Sequence, residues 1–446
     1  MMYGSDDSPA ITVFSQSEKV GTLVFTEPGK CSFTYDNEWV VNRFPISPCI
    51  PFNGQTEPET ATQFLRNLFP EGDAFDLLLE SKNVSRNNLY AILKTIGKDT
   101  AGALSFFDTK YQQGKTQLRL ISEQELVDKL ATGSTRELVT WDGKYRLSVA
   151  GLQKKLNVYI DVQNQMLLAD GAFSSTHILK FSSQKNRSIV INELFCMRLA
   201  NELKTKTGIK VANTTFKRFG VHDTLIVERF DRKRTSQSVK KRHIIDGCQA
   251  LDLPPEYKYE NNFGTGRDVR HIRDGVSFNK LFSFAKTCSV PALVIQQLLD
   301  WLIFNLIIGN SDAHGKNVSF FVSGSGITIT PFYDLVSVVF EASMNNSIDT
   351  SLAMAVGDNF DINTITAFDL LSFANESNIP FPLLKKRVPQ IARNVLDKVA
   401  TLRFEDLELD HTHTETIAEL KRLINQRANE LLDQSKQMDM VATEAF

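Results

Sequence analysis

Asp312, Asn317 and Asp334 are the residues whose types and spacing point to chemistry. The first two lie in Asn310-Ser311-Asp312-Ala313-His314-Gly315-Lys316-Asn317, which runs on through VSFFV, Gly324-Ser325-Gly326 and ITITPF to Tyr333-Asp334. Two β runs separated by a Gly-Ser-Gly turn predict a hairpin. Its antiparallel strands bring the residue before the first strand, Asn317, to the same end as the residue after the second, Asp334. An amide oxygen and a carboxylate placed together are hard ligands suited to Mg²⁺. Asp312 stands five positions before Asn317, the Asp-x-x-x-x-Asn spacing of a protein-kinase catalytic loop. There the Asp accepts the proton of an attacking hydroxyl, while the Asn and the later Asp hold metal on the phosphates. A single Asp or Asn near a turn is ordinarily a turn former or cap. The joint pattern with the hairpin is what favours chemistry.

Such a centre needs cations and a nucleotide cradle upstream. Lys180 ends the run THILKF, and Glu193 falls on a helix beside Cys196, Met197 and Ala200, a mostly apolar face. An inward carboxylate wants a charged partner, and a strand lysine aimed at phosphate is the kinase solution. A surface Glu and a snorkelling Lys are the plain alternative. The loop Ser148-Val149-Ala150-Gly151-Leu152-Gln153-Lys154-Lys155 offers one glycine for a tight turn near phosphate and two lysines for charge. Taken alone, it reads more readily as a plain hairpin turn with solvated lysines. A Walker P-loop fails, because Gly309 and Gly315 are separated by five residues and Lys316 is followed by Asn317. His411 and His413 precede a helix with no further ligands nearby and read as a solvated cap region. Neither a Gly-x-Ser-x-Gly elbow nor a His-Glu-x-x-His pair occurs, so hydrolase readings lack support.

The elements that must position these groups follow from periodicity. ITVFSQ, KVGTLVFTE and CSFTYD alternate apolar and polar residues, the pattern of short antiparallel strands. TATQFLRNLF and DAFDLLLESK carry helical spacing, broken by Pro70-Glu71-Gly72, and a further strand is predicted near Phe106. From Tyr145 come the strands YRLSVAG, KLNVYIDV and THILKF, a helix over about 189–204, and the strand LIVERFD. Beyond Arg234 the chain reads as helical, relieved by one hairpin at 318–331. Its tail, with apolar residues at 417, 420, 423 and 424, reads as an amphipathic helix.

A chain of 446 residues has room for roughly three domains. Hydrophobic residues at 42% and charged residues at 23% are globular values and exclude a disordered or collagen-like chain. The net charge of −2 argues against coating nucleic acid by bulk charge. Five scattered cysteines without CxxC spacing suggest neither a zinc framework nor a disulfide scaffold. The acidic first residues do not form a signal peptide. Val290 to Ile308 is interrupted by Pro291, Gln296, Gln297, Asp300 and Asn305, so a buried core helix is expected rather than a membrane span. A cytoplasmic protein is expected.

Together these segments resemble the HipA family of bacterial serine/threonine kinase toxins. The resemblance rests on Ile96-Gly97-Lys98-Asp99-Thr100-Ala101-Gly102-Ala103, Leu147 to Lys155, Thr176-His177-Ile178-Leu179-Lys180 and Val227-Glu228-Arg229-Phe230-Asp231. The motifs at 310–317 and 331–334 complete it, and the tail beyond about 340 matches mainly in being helical. It implies an α+β, protein kinase-like two-lobed fold, with a β-rich N-lobe, a helical C-lobe and an additional N-terminal α/β subdomain. The expected divisions are 1–135, 136–235 and 236–446. By motif matching, Asp312 is the catalytic base, and Asn317 and Asp334 hold Mg²⁺. Lys180 holds the ATP phosphates, with Glu193 as its structural ion pair. Ala150, Gly151, Leu152, Gln153, Lys154 and Lys155 cover the phosphates. Glu228, Arg229 and Phe230 form the adenine hinge, Asp231 reaches the ribose, and His314, Gly315, Lys316 and Tyr333 complete the ATP site. Ser148 matches the family serine that autophosphorylates and expels the glycine loop; a phosphoserine brings nearly two negative charges beside the triphosphate.

Such toxins pair with a small helix-turn-helix antitoxin of the HipB kind, which binds operator DNA. They arrest growth by phosphorylating translation components, glutamyl-tRNA synthetase among them. Two alternatives are a catalytically silent co-repressor that stabilises an antitoxin on DNA, and a kinase of a small molecule or lipid. Retention of Asp312, Asn317, Asp334 and Lys180 argues against silence, and no basic amphipathic membrane helix supports a lipid substrate. The run Lys385-Lys386-Arg387 reads as solvated surface more readily than as a DNA contact.

Overall fold

The computed structural model describes residues 8–53, 56–108, 116–146, 153–183, 186–264, 268–269 and 271–445. Ala10–Ser15, Glu18–Glu27, Lys30–Tyr35 and Leu104–Asp108 form an antiparallel sheet in which Ala10–Ser15 lies between Glu18–Glu27 and Leu104–Asp108. Alternate residues such as Ile11 and Val13, or Leu23 and Phe25, point into the core, as a half-buried strand requires. Helix Pro58–Arg66, with proline in its first turn, packs on Lys30–Tyr35, and helix Leu89–Ile96 packs on Leu104–Asp108.

The second sheet has six antiparallel strands in the spatial order Thr214–Phe219, His222–Glu228, His177–Phe181, Lys155–Ile160, Met166–Asp170 and Gln117–Leu120. Its register sets Lys180 opposite Lys155 on one side and Leu225 on the other. Gln117–Leu120 closes this sheet from well upstream in the chain. Helix Ile189–Thr207 packs against His222–Glu228 and leads Glu193 beneath the sheet.

The rest is helical around Pro291–Ile308, flanked by Phe381–Thr401 and His411–Ala445. Among the described residues, three small β elements interrupt it where one was expected. Ile244–Asp246 pairs with the hairpin Ser319–Ser323/Gly326–Ile329, Arg232–Arg234 pairs with Val239–Lys241, and Ser351–Val356 pairs with Asn359–Asp361. Several of these strands are only three residues long, too short for periodicity to reveal them. Pro291–Ile308 is long and apolar enough to cross a membrane, but every residue from Leu298 to Ile308 is buried inside the protein. Its Asp300 accepts from Arg387 at 2.7 and 2.5 Å. Arg387 therefore faces the core, and the reading of Lys385-Lys386-Arg387 as a surface run is corrected. His413 is corrected likewise: it is buried, 2.8 Å from the Asp223 carboxylate, and ties the last helix to the six-stranded sheet. One continuous core joins the N-terminal subdomain to the helical lobe, and a second cluster around Trp141, Leu156 and Leu168 lies against the six-stranded sheet.

Candidate active site

The hairpin delivers its two ends as expected. Thr330 N–H donates to Ser319 O at 3.0 Å, and the Tyr333 hydroxyl reaches back to Lys316 O at 2.7 Å and to Ser319 Oγ at 2.6 Å. Tyr333 thus fastens the segment carrying Asp334 to the loop carrying Asp312. The Asn317 amide donates to Asp312 O at 3.0 Å, so its oxygen is the atom that could hold a cation. Asp334 adopts φ 58°, in the left-handed region that non-glycine residues avoid. Strain of about 1–3 kcal/mol is tolerated where surrounding structure enforces it, and such sites are often functional.

Lys180 is the hub. Its ammonium donates to Glu193 at 2.6 Å and also pairs with Asp334. Burial works against that charge, but the Asp334 and Glu193 carboxylates outweigh it and hold Lys180 protonated. Burial raises the Glu193 carboxyl to about 7 against the pull of Lys180. Desolvation also pushes the Asp334 carboxyl up, and Lys180 more than reverses it, down to about 2. The 43% exposed Asp334 side chain opens to the cleft, whereas Glu193 is sealed. Across the sheet Lys155 is buried, and desolvation together with Lys180 lowers its pKa to about 8. Asp312 is exposed, with Oδ1 accepting from the Tyr259 hydroxyl at 2.8 Å.

Other expected site residues are placed differently. Lys316 turns away from the cleft: its buried ammonium donates to Asn67 O at 2.8 Å and to Asp246 at 2.7 Å. Gly315 is a packing glycine, since a Cβ there would meet the Val276 side chain at 2.5 Å. His314 is buried, and its Nδ1 accepts the Lys316 N–H at 3.2 Å. Asp231 is engaged within the protein. Both its oxygens are taken, by Arg229, by Arg232 at 2.7 Å and by Gly102 N–H at 2.8 Å, in a buried clamp that also includes Asp99. Arg229 belongs to this clamp too. Glu228 is exposed and accepts from Asn213 at 2.8 Å, while the half-buried Phe230 ring lies 5.6 Å from Tyr333. Gln153 donates to Phe181 O at 3.3 Å, and Lys154 to Gly133 O. Ser148, Ala150, Gly151 and Leu152 lie outside the described residues.

The sequence reading missed four contributors. Asn67 and Glu71 come from the N-terminal subdomain, where Pro70-Glu71-Gly72 signalled only a helix break. Tyr259 and Lys258 lie in a stretch without periodicity. Only the folded chain brings these groups to the catalytic loop.

Residues 11–107 match the HipA N-terminal domain, and residues 147–402 match the HipA-like C-terminal domain. The serine/threonine-protein kinase toxin HipA of Shewanella oneidensis is 42% identical, over 89% of this chain and 90% of that protein. The putative kinase Y4mE of Sinorhizobium fredii is 30% identical, over 87% of this chain and 91% of its own. Among solved structures, the Shewanella oneidensis HipA, HipB and operator DNA complex superposes with a TM-score of 0.86 at 39% identity, covering 97% of this chain and 99% of that one. Lys180 joined to Glu193 and Asp334, on a chain matched nearly end to end, leads to one conclusion: this chain belongs to the HipA family of serine/threonine-protein kinases.

Proposed function

We propose that this chain is the toxin of a toxin–antitoxin pair, moving the γ-phosphoryl group of ATP to a serine or threonine of a translation component such as glutamyl-tRNA synthetase. One observation carries the reading: Lys180 is joined to both Glu193 and Asp334, while Asp312 stands exposed on the loop that Tyr333 ties to Asp334. Asp312 takes the proton of the acceptor hydroxyl as its oxygen attacks phosphorus, and ADP leaves with the electron pair of the bridging bond. Lys180 holds phosphate oxygens, and Glu193 keeps it aimed. Asn317 and Asp334 would hold Mg²⁺, a cation that accepts two protein oxygens and completes its shell with phosphate and water. Bound there, Mg²⁺ neutralises charge on the phosphates. Phe230 and the backbone around it receive the adenine, and Ala150 to Lys155 close over the phosphates. We assign Gln117–Leu120 to the nucleotide-binding lobe, because it completes that lobe's sheet.

By analogy with the Shewanella complex, a HipB-like helix-turn-helix antitoxin is the partner, operator DNA is reached through it, and the site of action is the cytoplasm. The test is inducible expression with and without Asp312→Ala, paired with label transfer from Mg-ATP to purified glutamyl-tRNA synthetase and total ribosomal protein. Growth arrest and protein labelling should both vanish in the variant. Arrest that survives Asp312→Ala, or label found only on small molecules, would overturn the proposal.

A further inference from the structure

Residues 310–317 themselves present no cation beside Asp312. His314, two residues after the base, is buried, and its Nδ1 is occupied by the Lys316 N–H at 3.2 Å. Lys316 is committed to Asn67 and Asp246 behind the loop. Lys180 is engaged by Glu193 and Asp334. Yet the phosphoryl group in flight spreads negative charge over its equatorial oxygens, and fixed cations there supply much of the catalysis.

Among the described residues, a cation does stand on the side of the base. Lys258 is fused to the catalytic loop through its backbone, where Gly315 N–H donates to Lys258 O at 2.9 Å. The next residue, Tyr259, donates its hydroxyl to Asp312 at 2.8 Å, and its ring meets the His314 ring edge-on at 5.2 Å. The Lys258 ammonium lies 5.2 Å from the centre of that tyrosine ring and 2.6 Å from Glu71 Oε2. Glu71 reaches in from the N-terminal subdomain, and its Oε1 is buried without a hydrogen-bond partner. A carboxylate with one oxygen idle holds a lysine less firmly than a fully bonded pair.

We propose that Lys258 is a further catalytic residue, which leaves Glu71 when ATP binds and donates to the γ-phosphoryl oxygens during transfer. This deepens the kinase reading and rests on it. The proton still goes to Asp312 and the electron pair of the broken P–O bond to ADP. Lys258 forms and breaks no covalent bond. The N-terminal subdomain then has a chemical role, since its Glu71 parks the catalytic ammonium beside the base.

The discriminating experiment uses the full-length chain, with Mg-ATP and Mg-ADP as probes and a thermal melt to verify folding. Lys258→Met should weaken Mg-ATP roughly tenfold or more while leaving Mg-ADP within about twofold, because only ATP carries the γ-phosphate. Phosphotransfer should fall about 10²–10³-fold, and Lys258→Arg should recover part of it. Equal losses on ATP and ADP, or transfer by Lys258→Met at the wild-type rate, would overturn the assignment. If Lys258→Met does not fold, Lys258→Arg carries the same comparison, and an ATP-to-ADP affinity ratio and rate both identical to wild type would count against it. Failure of the kinase reading itself looks different: wild-type chain and Asp312→Ala would then be equally inert.

Discussion

Asn192 and Ser337 exchange two hydrogen bonds: Ser337 N–H donates to Asn192 Oδ1 at 2.8 Å, and Asn192 Nδ2 donates to Ser337 O at 2.9 Å. Asn192 precedes Glu193, and Ser337 follows Asp334 by three residues. One buried amide therefore sets the spacing of the two carboxylates that meet on Lys180. The same Nδ2 donates to Glu341 at 2.7 Å, which anchors the start of the following helix as well.

Asn192→Ala should accordingly lower stability by about 2–3 kcal/mol, because it strands a buried N–H and C=O at Ser337. Phosphotransfer at saturating Mg-ATP should fall more than tenfold as the Lys180 hub loosens. Urea melts and single-turnover labelling measure the two effects. A variant with wild-type stability and rate would show that the amide is redundant.

Asp312→Ala and Asp334→Ala should both abolish phosphotransfer but separate in binding. Asp334 faces Lys180 and the proposed cation, whereas the exposed Asp312 carboxylate accepts from Tyr259. Calorimetric titration with Mg-ATP should find the Asp334 variant much the weaker binder, with Asp312→Ala near wild type. The reverse order would exchange their roles.

The Asp99–Arg229–Asp231–Arg232 clamp should appear in the pH dependence of stability. Burial works to raise both carboxyls, but Arg229 and Arg232 outweigh it and hold Asp99 and Asp231 below the ordinary range. With folded pKa values depressed, their contribution is complete above the unfolded value of about 4 and is lost as pH falls below it. Melting temperature should thus drop steeply below about pH 4, and less steeply in Asp231→Asn. At pH 7 Asp231→Ala should cost about 3–5 kcal/mol, because two buried guanidiniums lose their shared carboxylate. A melting curve indifferent to Asp231→Ala would exclude the clamp as a structural element.

Incubation with Mg-ATP should add one dominant phosphate at Ser148 and then reduce ATP affinity. The resemblance read from the sequence implies this serine, and a phosphate there would repel the nucleotide. Peptide mass spectrometry before and after ATP treatment settles it, with Ser148→Ala as the unlabelled control. An active kinase that never labels Ser148 would remove the self-modification without touching Asp312.

Local pattern was enough to single out the candidate residues. Asp312, Asn317 and Asp334 could be read because a hairpin ties residues far apart in number to one end, a relationship that strand alternation and a Gly-Ser-Gly turn encode locally. Lys180 and Glu193 were legible for a similar reason: an inward carboxylate on an apolar helix face demands a cation. Charged residues at less patterned places could not be sorted this way. Lys316 and Asp231 carry the right charges at family positions, yet the fold spends them on Asn67, Asp246, Arg229 and Arg232, because burying a charge forces the nearest opposite partner upon it. Arg387 and His413 went inward for the same reason, paired with Asp300 and Asp223 across gaps of 87 and 190 residues. Glu71, Lys258 and Asn192 had no local signal at all. Their meaning comes from which subdomain packs against which loop, and that is settled by the shared apolar core between them.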